Sequence, residues 1–283
     1  MDTFWKIVVT FGVLGLFVLV VAFVAAFFMS GMDVSGVNLG AGGKVAVVPV
    51  YGTITLGGCP GNLLQVQSCA QVDNLKKLLR EADNDPSVKA IVLDVYSGGG
   101  NVVASRELMR EVKKTKKPVV AWISEVGASG AYYVASAADE VVADENSLTG
   151  SIGVIMFVQH YYELFDDIGI NVTVIKAGQT KDIGSPYRPM TDSERENLKG
   201  IVDGTYERFV EDVAENREMT IEEVREVANG DIYLGSTAYE LGLVDELGGM
   251  EEAIDLAARL GGIKGRPEVK KPERKISLSD ILT

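Results

Sequence analysis

The chain has 283 residues, 47% of them hydrophobic and 24% charged, enough for one sizeable core and against disorder outside the extreme C-terminus. A formal charge of −13 argues against a nucleic-acid partner, because phosphate binding needs a concentrated basic face that the chain never assembles. The single histidine narrows the chemistry as well, favouring lysine as the base of any serine nucleophile.

Residues 7–29 carry no charge and are long enough to cross a bilayer as one helix. A cleaved leader would have a shorter apolar stretch and a small-residue cleavage site, whereas Phe27-Phe28-Met29-Ser30 is bulky there, so a retained anchor is expected. Lys6 favours a cytoplasmic N-terminus, which makes the protein single-pass in the cell membrane with its bulk extracytoplasmic. Three segments follow: an anchor over 1–33, one α/β domain over 34–264, and a polar tail over 265–283. In that tail Lys270-Lys271 reads as solvated linker, and Ile281-Leu282-Thr283 could dock on a subunit or be trimmed. Cys59 and Cys69 share the Gly/Pro/Asn loop 57–71; in an oxidising compartment they either close a short ring or stand as two separate thiols. No nearby histidine or further cysteine completes a metal site.

Further along, residues 44–50 form a β-branched strand that 51–54 continues or turns. Residues 72–82 have helical spacing, with Leu75, Leu78, Leu79 and Ala82 on one face. A buried strand over 88–95 leads through a glycine run to a helix over 103–112, and the lysines from Lys113 to Lys117 complement that helix's dipole. A strand over 118–123, a small-residue helix over 129–138, and strands over 140–144 and 172–177 complete the reading. Strands alternating with helices in this way imply parallel connections and a buried sheet.

The chemistry can be placed on that frame. Ser129 follows a strand through a short glycine-containing loop and opens a helix, where free backbone N–H groups and the positive helix end favour a nucleophile; the same position also suits a serine that merely caps the helix. Ser97-Gly98-Gly99-Gly100-Asn101 follows another strand and can aim backbone N–H groups at a bound oxygen. A phosphate loop fails there, because no Gly-Lys-Ser/Thr ending and no dinucleotide glycine pattern is present. His160 sits in an aromatic stretch at the start of a helix and suits packing or the surface. Lys181 occupies a loop at the sheet edge between Gly178 and Gly184, where functional groups concentrate; taken alone, it reads as an ordinary surface lysine. A lysine base must act as the free amine, which requires desolvation and no adjacent carboxylate, so Asp182 has to point away.

Four motifs in this order carry a resemblance: Gly127-Ala128-Ser129-Gly130-Ala131-Tyr132-Tyr133, Thr149-Gly150-Ser151-Ile152-Gly153-Val154, Lys181-Asp182-Ile183-Gly184-Ser185-Pro186 and Gly242-Leu243-Val244-Asp245-Glu246-Leu247-Gly248-Gly249. From about residue 44 to 260 the chain resembles the signal peptide peptidase A family of membrane-anchored Ser–Lys proteases. The resemblance implies Ser129 as nucleophile, Lys181 as general base, Ser151 as a hydroxyl that orients the lysine, and Gly99 and Gly130 as oxyanion donors. It implies an α/β fold like the ββα spiral of the Clp protease subunit and the crotonases, here with an N-terminal transmembrane helix, and no cofactor or metal. Clp relatives carry their histidine base shortly after the equivalent of Thr149-Gly150, where this chain has Ser151-Ile152; His160 falls too far downstream. Gly98 stands where the family usually has proline, which loosens that loop. Hydrophobic peptides, remnants of signal peptides among them, are the implied substrates, and homo-oligomers with active sites at subunit interfaces the implied assembly. A crotonase-like acyl-CoA enzyme and a non-catalytic membrane scaffold of the same fold are the competing readings.

Overall fold

Strands that are apolar at nearly every position are stable only when both sheet faces are covered. In the computed structural model, which describes residues 43–59 and 69–272, the main sheet runs in the order β10 (Glu268–Lys270), β1 (Lys44–Tyr51), β4 (Val88–Ser97), β5 (Val119–Ala128), β6 (Glu140–Ala143) and β9 (Glu246–Leu247). Every pairing along this path is parallel. One face is buried under α1 (Val72–Asn84), α2 (Val102–Lys114), α3 (Gly130–Ala135) and α5 (Asp192–Asn216), through Leu75, Leu79, Leu108, Tyr132, Phe209 and Val213 among others. The other face, with Val45, Val47, Val92, Val120 and Val142, is covered by Ala253, Leu256 and Ala257 of α8 (Met250–Leu260).

Short strands leave the main sheet at its C-terminal edge. The strand β2 (Thr53–Thr55) pairs with β3 (Cys69–Gln71), and Ile54 of β2 also bridges Gly100. The end of β5 pairs with β7 (Leu148–Gly150), whose other side is taken by β8 (Ile232–Leu234). Residues 151–191 form a long arm with one short helix, α4 (Tyr162–Asp167), and two further helices, α6 (Ile221–Val227) and α7 (Gly235–Glu240), flank β8.

Several expectations change. No strand forms over 172–177: Val172 and Val174 are exposed and Ile175 is 96% exposed. The run has strand composition but pairs with no strand, and the neighbouring β7 takes β5 and β8 as its partners instead. The region around Lys270-Lys271 is not simply solvated linker, since β10 pairs with β1 at the edge of the sheet, Lys44 bonds Glu268 at 2.7 Å and Lys270 bonds Asp85 at 2.7 Å. The helix after Ser129 is shorter than its small-residue run and ends at Ala135. The predicted span over 7–29 and the tail residues 273–283 lie outside the described residues; among those described, no helix is long and apolar enough to cross a membrane.

Of the two readings of the cysteines, the ring is the one formed: Cys59 and Cys69 are disulfide-bonded, with Cα atoms 5.4 Å apart. The link closes the loop between β2 and β3, and β2 in turn holds the glycine turn through Gly100. Replacing both cysteines by serine is expected to cost about 2–3 kcal/mol for a loop of this length. Thermal unfolding of wild type, with and without reductant, against the double variant measures it, and all three conditions agreeing would be the contrary result.

Candidate active site

Parallel strands bring their C-terminal ends to one edge, and here the ends of β4, β5 and β7 converge. Gly127, the partner of Ser97 across β4 and β5, lies where a Cβ would stand 2.8 Å from Ile123, so only glycine lets β5 bend there. Ser129 follows with φ 54° and ψ −125°, a conformation that costs a side-chain-bearing residue about 1–3 kcal/mol. Its N–H donates to Gly150 O at 2.8 Å, and its carbonyl accepts from Tyr133 at 2.9 Å as α3 begins. Its side chain makes no cap bond, which removes the capping role as the reason for a serine here.

The glycine turn meets this serine. A Cβ on Gly99, itself at φ 101°, would stand 2.7 Å from Gly130 N and 3.0 Å from Ser129 Cβ. Ser97 Oγ accepts from Gly99 N–H at 3.1 Å and donates to Gly52 O at 2.6 Å. Gly99 O accepts from Ile54 N at 3.0 Å, and in a trans peptide this turns the Gly100 N–H away from β2. Gly100 N stands 3.2 Å from the position of a Cβ on Gly130. Gly100 was not singled out from sequence, because three consecutive glycines look alike until a neighbouring strand fixes which peptide faces the site. Ser151, at φ 51°, directly follows the residue that accepts the Ser129 N–H, and its own N–H donates to Asp231 O at 2.6 Å. Ser129, Ser151, Gly99 and Gly130 are thus brought together.

Lys181 stands apart from this cluster. It is exposed, in a turn closed by its N–H on Gly178 O at 3.2 Å, and among the described residues its amine has no hydrogen-bond or ion-pair partner. It does not line the cavity beside Ser129. The neighbouring Asp182 is fully engaged elsewhere: Arg188 bonds it at 2.8 and 2.9 Å, and Lys176 also contacts it. Arg188 and then Lys176 hold this carboxyl well below the ordinary range. Arg188 also grips Glu194 at 2.5 and 2.8 Å, and Glu194 completes a capping box with Thr191 at the start of α5. Glu194 is brought down to about 2, chiefly by Arg188. This clamp ties the Lys181 turn to α5. His160 is exposed and stacks edge-on with Tyr162 at 6.0 Å, away from the cavity.

A cavity of about 370 Å³ opens beside Ser129 and Gly130. Its walls include Val103 and Ser105 of α2, Tyr133 of α3, Val154 and Ile155 of the arm, and Phe209 of α5. Tyr133 and Phe209 have ring centroids 4.4 Å apart. The Tyr133 hydroxyl also donates to Asp212, which Arg106 bonds at 3.0 Å; burial, then Asp212, raises the Tyr133 phenol far above its usual value, so it stays a neutral donor. Sequence reasoning missed α5 entirely, since its polar and apolar residues follow no clean stripe. The fourth motif proves to be scaffold: Leu243 O accepts from the buried Tyr132 hydroxyl at 3.0 Å, and Asp245 accepts from Val141 N and Arg217.

Two outcomes follow. Gly99→Ala should abolish reaction at Ser129, because the new methyl meets Gly130 N and the φ is unfavourable; labelling by a fluorophosphonate probe should fall at least tenfold, and unchanged labelling would contradict the geometry. For the clamp, both carboxyls have folded values below their unfolded ones, so its stabilisation is complete above about pH 5 and is lost as pH falls towards 2. The gap in melting temperature between wild type and Arg188→Ala should therefore be constant from pH 8 to about pH 5 and close below it, as thermal unfolding across that range will show.

Known proteins resemble this chain in sequence and in fold. The profile of peptidase family S49 matches residues 111–264. A protein named as a protease from Methanocaldococcus jannaschii is 42% identical over 258 residues, 90% of this chain and 83% of its own length. A protein named signal peptide peptidase SppA from Enterococcus faecium is 37% identical over 185 residues, 64% of this chain and 54% of its own length. The chloroplastic serine protease SPPA of Arabidopsis thaliana is 32% identical, and the match covers 85% of this chain but only 36% of that protein. In fold, the chain is similar to solved structures of the 1510-N membrane-bound stomatin-specific protease, with TM-scores of 0.53 and 0.54 at 13% and 14% identity. These matches cover 83% and 86% of this chain and 99% and 96% of the solved ones. Neither an acyl-CoA enzyme nor a non-catalytic scaffold finds support among these relatives. On the strength of the profile and these relatives, the chain belongs to peptidase family S49, the serine proteases that include signal peptide peptidase SppA.

Proposed function

We propose that the protein is a membrane-anchored endopeptidase with a Ser–Lys dyad, on a Clp-like ββα-spiral scaffold, that degrades hydrophobic peptides, among them remnants of cleaved signal peptides. The observation that carries this reading is Ser129, strained at φ 54° beside the glycine turn and an apolar cavity. In the proposed mechanism the free amine of Lys181 accepts the Ser129 proton as Oγ attacks the peptide carbonyl. Backbone N–H groups of Gly130 and the Gly99–Gly100 turn stabilise the oxyanion, and the lysine returns the proton to the leaving amine. Water then cleaves the acyl-enzyme by the same route. Ser151, adjoining the Ser129 turn, orients the amine.

The exposure of Lys181 bears on assembly. A lysine works as a base only when desolvated, and in the single chain this one is open to solvent. The arm that carries it also exposes Ile155, Phe157 and Ile175, the last two at 84% and 96%, an apolar surface that solvent alone does not favour. Both are met if the arm of one subunit lies against another, so the active form is a homo-oligomer with dyads built across subunits. The uncharged residues 7–29 and the disulfide favour a single-pass protein with this unit on the extracytoplasmic side.

Fluorophosphonate labelling should vanish in Ser129→Ala, and peptide cleavage should vanish in Lys181→Ala with folding intact. When the two inactive variants are mixed and reassembled, activity should return to roughly a quarter or more of wild type, as expected when each supplies the residue the other lacks. Labelling that survives in Ser129→Ala would defeat the assignment, and absence of recovery would place the dyad within one chain.

A further inference from the structure

The sheet face that α8 covers ends, at the C-terminal edge of the strands, in a groove lined by no residue of α8. Alternation along the strands sends Tyr51, Asp94 and Trp122 to the same side as Val47, Val92 and Val120. With Tyr96, Glu125 and Asp144 they line an open cavity of about 830 Å³. Asp94 is 8% exposed, and its Oδ2 accepts from the Tyr51 hydroxyl. Its Oδ1 has no hydrogen-bond or ion-pair partner among the described residues, yet it is not one of the unpartnered atoms sealed from solvent, so a ligand in the groove can reach it. A carboxylate this deep is ordinarily paired with a cation. Here no lysine or arginine lines the groove, and Lys271 acts on Asp94 only through space.

The other groups share the same preference. Burial, then Asp94, pushes the Tyr51 phenol up to about 12, so it stays a neutral donor. Glu125 and Asp144 add two exposed carboxyls. Tyr51 and Tyr96, 41% and 49% exposed, stand edge to face with ring centroids 6.4 Å apart. Aromatic faces around a carboxylate attract an ammonium or guanidinium group through the ring quadrupole as well as through charge. We infer that this groove is a binding site for a lysine or arginine side chain of a peptide. The inference does not depend on the chemistry proposed at Ser129.

Two peptides could supply that side chain. One is a chain from outside: the groove lies on the edge of the sheet that carries Ser129, since Val126 and Leu148 line it and Ala128 and Gly150, two pairs further along the same ladder, lead into the nucleophile turn. The other is the protein's own sequence after Pro272. In the register of β10 with β1, Lys270 stands opposite Ala46, and the count that leads from Ala46 to Tyr51 leads from Lys270 to Lys275, beside Arg274.

Trp122 reports on the groove. The chain has two tryptophans, so full-length protein in detergent with Trp5→Phe, and with Ser129→Ala to prevent cleavage, keeps one indole, at the site. Its fluorescence is titrated with an acetylated, amidated Ala-Lys-Ala peptide and with the versions carrying norleucine or glutamate in place of lysine. The lysine peptide should bind saturably and at least about tenfold more tightly than the norleucine peptide, with no binding of the glutamate peptide. Asp94→Asn keeps an acceptor for Tyr51 and removes the charge, and should weaken the lysine peptide about tenfold. If that variant does not fold, Glu125→Gln combined with Asp144→Asn, both at exposed positions, should weaken it severalfold. Equal affinity for lysine and norleucine, or a folded variant of this set that binds lysine as well as its parent, overturns the inference. The same titration with Arg274→Ser and Lys275→Ser added identifies the source. Binding that appears or tightens only in this variant assigns the groove to the chain's own basic pair, equal binding in both assigns it to a peptide from outside, and binding in neither overturns the inference.

Discussion

Burial of both faces of a parallel sheet is the constraint from which the rest of the geometry follows. Parallel neighbours cannot be joined by tight hairpins, so the chain must cross back over a face between them, most often as a helix, and the C-terminal ends of the parallel strands collect at one edge. The glycine turn after β4 and the serine turn after β5 are therefore neighbours by topology before any side chain is chosen. What side chains add is the close approach: Gly99 and Gly130 let two backbones meet at distances that no Cβ permits.

Much of this was legible in the residues because it is written in local chemistry. The strands at 44–50, 88–95 and 118–123 are β-branched runs, and their burial follows from composition alone. Ser129 and the glycine run could be placed because glycine and a following small-residue helix mark a turn wherever they occur. The false strand over 172–177 shows the limit. Val172, Val174 and Ile175 have the propensity, but a strand exists only where it finds a partner, and β7 pairs instead with β8, more than fifty residues further on. The helix α5 escaped for a related reason: it faces solvent, the cavity and the clamp at once, so no single stripe records its environment. Lys181 is marked by its motif and place in the order of motifs, whereas its local sequence reads as that of a surface lysine, and in the single chain it is exposed.

The clamp of Asp182, Arg188 and Glu194 gives that bare lysine a defined setting. An exposed turn of this kind would otherwise sample many positions, and the entropy of fixing it would fall on the moment of assembly or binding. Here the adjacent carboxylate is engaged by two cations, so it neither neutralises the lysine nor lets the turn drift. The same arginine joins the turn to the capping box of α5, the helix whose Phe209 walls the cavity.

The positive φ at Ser129 has a bearing on how this chain tolerates change. Glycine is the residue that best fits that conformation, so its substitution for the serine would relieve strain while removing the hydroxyl. Backbone geometry alone would therefore favour glycine at this position, and the proposed nucleophilic role is what would call for serine. Among the described residues Ser129 shares a positive φ without being glycine with Ser151 and Glu218, so two of the three such positions fall at the candidate site, and any stability they forgo is made up elsewhere, by the two-sided burial of the strands that lead into it.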